Sequence, residues 1–151
     1  MVRKISGLEE LKSVVGQELG YSGYHEVSQS QIDAFADATG DHQWIHVDPE
    51  RARSGPFGQT IAHGYLTLSL IPSLLDEVVE VEGVSMGVNY GVNRVRFPAP
   101  VPVGSKVRLG VKVASVTDVD GGVQAQLDAV VEVEGASKPS LVAELIFRYY
   151  V

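Results

Sequence analysis

The sequence predicts an α+β fold, with an antiparallel sheet wrapped around one long central helix. Three observations lead to it. Residues 1–80 carry helix start and stop signals, whereas residues 84–151 are rich in valine and alternate apolar with polar positions. Between them, Tyr65 to Val79 is apolar on nearly every side, as suits a helix covered by other structure.

The elements follow in chain order. Ser6-Gly7-Leu8-Glu9 has the spacing of a capping box, and Ser28-Gln29-Ser30-Gln31 repeats it before a helix with Ile32, Phe35 and Ala36 on one side. Gly40 ends that helix. Residues 40–64 read as a long irregular segment, with one short turn where Asp48 caps and Pro49 takes the first helical position. A long loop in a domain of this size is usually functional. In the apolar helix, Pro72 predicts a kink or the tightest turn. A short strand near Tyr24–Val27 is expected, then strands at about 84–97, 106–117, 123–134 and 141–150. Asp120-Gly121 is a hairpin signal between the second and third of these, and Gly135 to Pro139 breaks the third from the fourth. A sheet curled around one buried helix is the hot-dog architecture. Such a lone sheet leaves an edge and part of a face open, so a homodimer is expected.

Composition narrows the function. With 151 residues and no linker or repeat, one domain spanning 1–151 is the economical reading. No cysteine is present, which removes disulfides, zinc–thiolate sites and cysteine nucleophiles. A formal charge of −7, from 12 Lys+Arg against 19 Asp+Glu, offers no basic face for nucleic acid. The first fifteen residues lack the apolar stretch and cleavage site of a secretory signal, and no segment is long and apolar enough for a membrane span. A cytoplasmic location is therefore expected.

Histidines and carboxylates are left to carry any chemistry. Asp41 and His46 stand five positions apart just after a helix ends, a pair that can hold opposite protonation states near neutrality. Taken alone, the commoner reading is a turn aspartate and a surface or core histidine. A second motif, Ile61-Ala62-His63-Gly64, adds to the first: Gly64 at the mouth of the apolar helix permits close approach to an unpaired first-turn amide. An oxyanion donor beside an acid/base pair is a workable catalytic set. His42 and His46 have zinc-protease spacing, but Gln43 replaces the glutamate base and Trp44-Ile45 look like loop, so no metal site is expected. No Gly-x-Ser-x-Gly elbow occurs either.

Gly40-Asp41-His42-Gln43-Trp44-Ile45-His46-Val47-Asp48 resembles the hydratase 2 motif of the MaoC-like (R)-specific enoyl-CoA hydratases. The likeness continues through Phe57 to Gly64, the apolar helix, and Asn93-Arg94-Val95-Arg96-Phe97 with Pro98 to Gly104. It covers most of the chain from about Tyr21 onward, and the family's hot-dog fold agrees with the element order. The resemblance implies that Asp41 and His46 are the catalytic dyad and that the Gly64 amide polarises a thioester carbonyl. Gln43 and Trp44 stand where the family usually has Asn and Pro. Candidate substrate-binding residues are Gln43, as a water-orienting amide, with His63, Arg94 and Arg96. As Arg94 and Arg96 share one strand face, they suit either solvent or the anionic part of coenzyme A.

The implied reaction is reversible syn hydration of a trans-2-enoyl thioester to an (R)-3-hydroxyacyl thioester, in fatty-acid metabolism. No cofactor is expected beyond the coenzyme A or acyl carrier protein that forms part of the substrate. Two rival classes stand beside it. A hot-dog thioesterase would carry its carboxylate on the central helix, where Asp76 and Glu77 come too late. A non-catalytic acyl-thioester-binding subunit would have no need of both Asp41 and His46.

Overall fold

Alternating valines in the C-terminal half build the frame that holds everything else. In a computed structural model describing all residues from Met1 to Val151, the order is β1 (Arg3–Ser6), α1 (Gly7–Ser13), β2 (Glu18–Tyr21), β3 (His25–Glu26), α2 (Gln29–Thr39), α3 (Trp44–Val47) and α4 (Pro49–Arg53). Then come α5 (Gly64–Ser69), α6 (Ile71–Leu75), β4 (Val79–Glu82), β5 (Met86–Arg96), β6 (Lys106–Val119), β7 (Gly122–Val133) and β8 (Leu141–Tyr150). The main sheet is antiparallel in the order β2-β6-β7-β8-β5, with β3 also pairing β6. This is the hot-dog arrangement expected. The four long strands fall within two residues of their expected bounds, because alternation marks one face for burial. Val107, Leu109, Val111 and Val113 of β6 point inward with Leu127, Ala129 and Val131 of β7 and Leu141, Ala143 and Leu145 of β8. Asp120 and Gly121 turn the β6–β7 hairpin, and Gly121 has the positive φ of 79° that such a turn requires.

The central helix differs from the expectation of one continuous element over 65–79. It is two short helices broken at Leu70, because Pro72 has no N–H to give and disfavours helical geometry at Ile71. It ends at Leu75. Val79 belongs to β4, which pairs in parallel with β1 through Arg3↔Val79 to Ser6↔Glu82. Neither strand is legible as such, since each has only four residues. Nor is the helix wrapped on every side. Leu66, Ile71, Leu74 and Leu75 are buried against the sheet, each contributing about 1.5–3 kcal/mol, while Tyr65, Ser69, Pro72 and Ser73 face outward.

Local signals fare unevenly. Ser28 forms the expected capping box with Gln31, and Gly40 closes α2 in the left-handed conformation at φ 82°. Asp48 caps α4 through the Arg51 amide, with Pro49 at the first helical position. The box at Ser6 does not form. Gly7 takes φ 85°, so the chain turns sharply from β1 into α1, and the Ser6 amide bonds the Glu10 carboxylate while Glu9 pairs with Lys12. Trp44-Ile45, expected as loop, begins the one-turn helix α3. No cap signal announces it; Trp44 is held by the Arg51 guanidinium 4.3 Å from its ring.

Candidate active site

Gly40 throws the chain out of α2, and the next seven residues bring two of the candidate groups together. Asp41 is exposed, and its carboxylate accepts the Gln43 amide at 3.3 Å. His42 turns away to the Asp37 carboxylate at 3.0 Å, a bond that raises its pKa. The His42/His46 pair with zinc-protease spacing is therefore not assembled. α3 instead carries His46 inward, where it is 7% exposed. Its Nδ1 lies 2.8 Å from the Ile61 carbonyl. A carbonyl only accepts, so Nδ1 carries the proton and neutral His46 keeps a free lone pair on Nε2. Burial pushes the His46 pKa down, against the Ile61 bond; His63 lowers it further and Asp41 raises it.

His63 does not sit as a substrate-binding residue. It is 3% exposed, packed between Phe35, with ring centroids 4.8 Å apart, and the His46 ring, stacked at 3.9 Å and 23°. Its Nε2 donates to the Asp41 carbonyl at 3.0 Å, and its Nδ1 has no partner. His63 thus backs both members of the dyad from behind. It is absent from the cavity wall.

That cavity, of about 390 Å³, is lined by His46, Gly64, Thr67, Phe57, Phe97 and Pro98 among others. As the first residue of α5, Gly64 has an amide without an intrahelical acceptor. A Cβ at Gly64 would stand 3.1 Å from the Phe97 ring, so the close approach of Phe97 itself calls for this glycine. α5 runs only six residues, so the amide itself, and little helix dipole, is what it offers. Arg94 and Arg96 are not brought to this cavity. Val95 packs on the core and Phe97 on Gly64, so alternation turns both arginines to the outer sheet face, where Arg94 lines a hollow with Asp128 and Glu144. Gln43 is exposed and meets Asp41 through its main chain.

Two residues that the sequence did not single out hold the site in place. Gln29 donates from Nε2 to the His46 carbonyl at 2.8 Å, and Thr60, 1% exposed, donates its hydroxyl to Gln29 Oε1 at 2.6 Å. Their partners lie 17 and 31 positions away, so no spacing reveals them.

One ligand atom each from Asp41, His46 and His63 lies within 4.8 Å of the other two, close enough to ask whether a metal fits. The donor set fits poorly. An ion sits about 2.0–2.1 Å from an imidazole nitrogen along its in-plane lone pair. Two nearly parallel rings with centroids 3.9 Å apart cannot both aim a lone pair at one ion. A general acid/base pair at the edge of an apolar cavity is what the arrangement offers.

A family model described as a MaoC like domain matches residues 10–134. The chain belongs to that family. Among its MaoC-like relatives, 3-hydroxyacyl-thioester dehydratase Z of Mycobacterium tuberculosis is 52% identical over 149 residues, covering 98% of this chain and 99% of that protein. Nodulation protein N of Rhizobium leguminosarum bv. viciae is 46% identical over 143 residues, covering 92% and 88%. In structure, an (R)-hydratase from A. caviae involved in PHA biosynthesis superimposes with a TM-score of 0.72 at 26% identity, over 88% of this chain and 94% of its own.

Proposed function

We propose that this MaoC-like chain is an (R)-specific hydratase of trans-2-enoyl thioesters, run in reverse as a 3-hydroxyacyl-thioester dehydratase. The carrying observation is the His46 Nδ1 bond to Ile61, which leaves Nε2 free on a ring that lines the Gly64 cavity and has a nitrogen within 4.8 Å of an Asp41 carboxylate oxygen. Water held between Asp41 and His46 gives a proton to the dyad as its oxygen bonds to C3. The C2=C3 electron pair moves toward the thioester oxygen, where the Gly64 amide meets the developing charge. The enolate then takes a proton from the dyad at C2 on the same face, so one water adds overall. The carbonyl activates C3, and no redox cofactor enters the balance. The substrate carries coenzyme A or an acyl carrier protein.

The thioesterase alternative loses its carboxylate. Asp76 lies beyond the end of α6, and Glu77 is tied to His25 at 2.6 Å and to the Gly23 amide. The exposed outer edge of β5 supports assembly as a homodimer. The test is loss of the enoyl-thioester absorbance on adding the purified chain to substrates of graded length, followed by chiral analysis. Conversion to the (R)-3-hydroxyacyl thioester is expected. Thiol release without hydration, the (S) product, or no turnover at any length overturns the reading.

A further inference from the structure

Gln29 sits at the first residue of α2, outside the dyad and the cavity wall, yet three of its four hydrogen-bonding positions are used. Nε2 donates to the His46 carbonyl at 2.8 Å and to Asp33 Oδ1 at 2.9 Å, while Oε1 accepts from the Thr60 hydroxyl at 2.6 Å. A carbonyl and a carboxylate only accept, so the amide has one orientation. Around it, the Ile61 amide donates to the Ile45 carbonyl at 3.0 Å and His46 Nδ1 to the Ile61 carbonyl at 2.8 Å. The segment that holds His46 and the one that receives its ring are thus stitched together twice directly, and a third time through Gln29. α3 is a single turn with no side-chain cap of its own, so it lacks internal means to fix the height of His46.

We infer that Gln29 is a positioning residue for His46: its amide, locked by Thr60 and Asp33, fixes the backbone from which the catalytic imidazole reaches Ile61. The inference rests on the dyad reading above. It makes a demand that shape alone does not satisfy. An isosteric Gln29→Glu replacement keeps the volume but turns the donor into an acceptor facing two acceptors. Gln29→Met keeps the volume and removes the bonds without repulsion. A displaced catalytic group costs up to about a hundredfold in turnover.

Each variant is assayed by steady-state hydration and, independently of turnover, by the imidazole ¹⁵N spectrum of the ¹⁵N-labelled protein. In the parent, His46 shows the Nδ1–H tautomer. Gln29→Met is expected to mix the tautomers and lower kcat about ten- to a hundredfold, with KM within about twofold. Gln29→Glu is expected to be worse, and its charge should move the His46 titration to higher pH, past the influence of His63, Asp41 and Asp33, which stay unchanged. Thr60→Val should reproduce Gln29→Met in part. In an Asp41→Asn background, where the dyad is already broken, Gln29→Met should add less than about twofold. A parent-like tautomer and kcat in folded Gln29→Glu overturns the inference, as does an equal loss from Gln29→Met in both backgrounds. If instead the spectrum changes as expected but the parent hydrates no thioester, the clamp stands and the proposed function falls.

Discussion

The strands from Met86 to Tyr150 and the segment from Gly40 to Gly64 are held by different kinds of bond. The strands pair residue after residue with their neighbours, so each contact is backed by the next one along the ladder. The segment has no ladder. His46 to Ile61, His63 to Asp41, Thr60 to Gln29 and Gln29 to His46 are single bonds, each with its own two partners. Redundancy makes the sheet tolerant of any one loss, whereas each side-chain bond of the site is made once.

The dyad is where a single change should cost most. Asp41→Asn and His46→Gln should each fold normally and lose roughly 10²- to 10⁴-fold in turnover, and the double variant should be little worse than either. A folded Asp41→Asn protein that keeps more than about a tenth of parent turnover makes Asp41 a turn residue. On the sheet side, Leu109→Ala should cost about 2–5 kcal/mol in denaturant unfolding yet leave turnover per folded molecule unchanged. A proportional loss of turnover would show that site and sheet are not separable.

Replacing Gly64 with valine should lower turnover with the dyad intact, because the new side chain meets the Phe97 ring and the wall of the cavity. Here a turnover like the parent's would remove Gly64 from the mechanism. pH sharpens the comparison further. Burial holds the His46 pKa below the ordinary imidazole value of about 6.5. Neutral His46, the form with a free Nε2, therefore persists below that pH, and the acid limb of kcat/KM should fall there. A limb above it contradicts the burial seen here. Gln43→Ala should cost least, since Gln43 reaches Asp41 through its main-chain amide, which alanine retains.

The same contrast explains what the sequence shows and what it hides. Alternation is a local record of a face, so Val107 to Val113 announce both their strand and their burial. The motif around Asp41, His46 and Gly64 is legible through family resemblance; His46 and Gly64 line one cavity, and an Asp41 carboxylate oxygen lies within 4.8 Å of a His46 ring nitrogen. Gln29 and Thr60 look like any helix-start glutamine and loop threonine, and their meaning lies in partners distant along the chain. His63 is legible as a residue but not as a packed ring, because its neighbours Phe35 and His46 lie far from it along the chain. Arg94 and Arg96 share one strand face by alternation, and the packing of Val95 on the core and of Phe97 against Gly64 decides which face that is.

The parallel pair of β1 and β4 places a constraint on time. β1 is made before its partner, which begins at Val79, roughly 75 residues later. At about 5–20 residues per second of synthesis, the N-terminal strand waits some 4–15 s before its neighbour exists. Closing so long a loop costs entropy that only the docked helix between the two strands can offset. The residues of β1 thus find their place only after the helix has been made, and they latch its far end while its near end opens on the cavity.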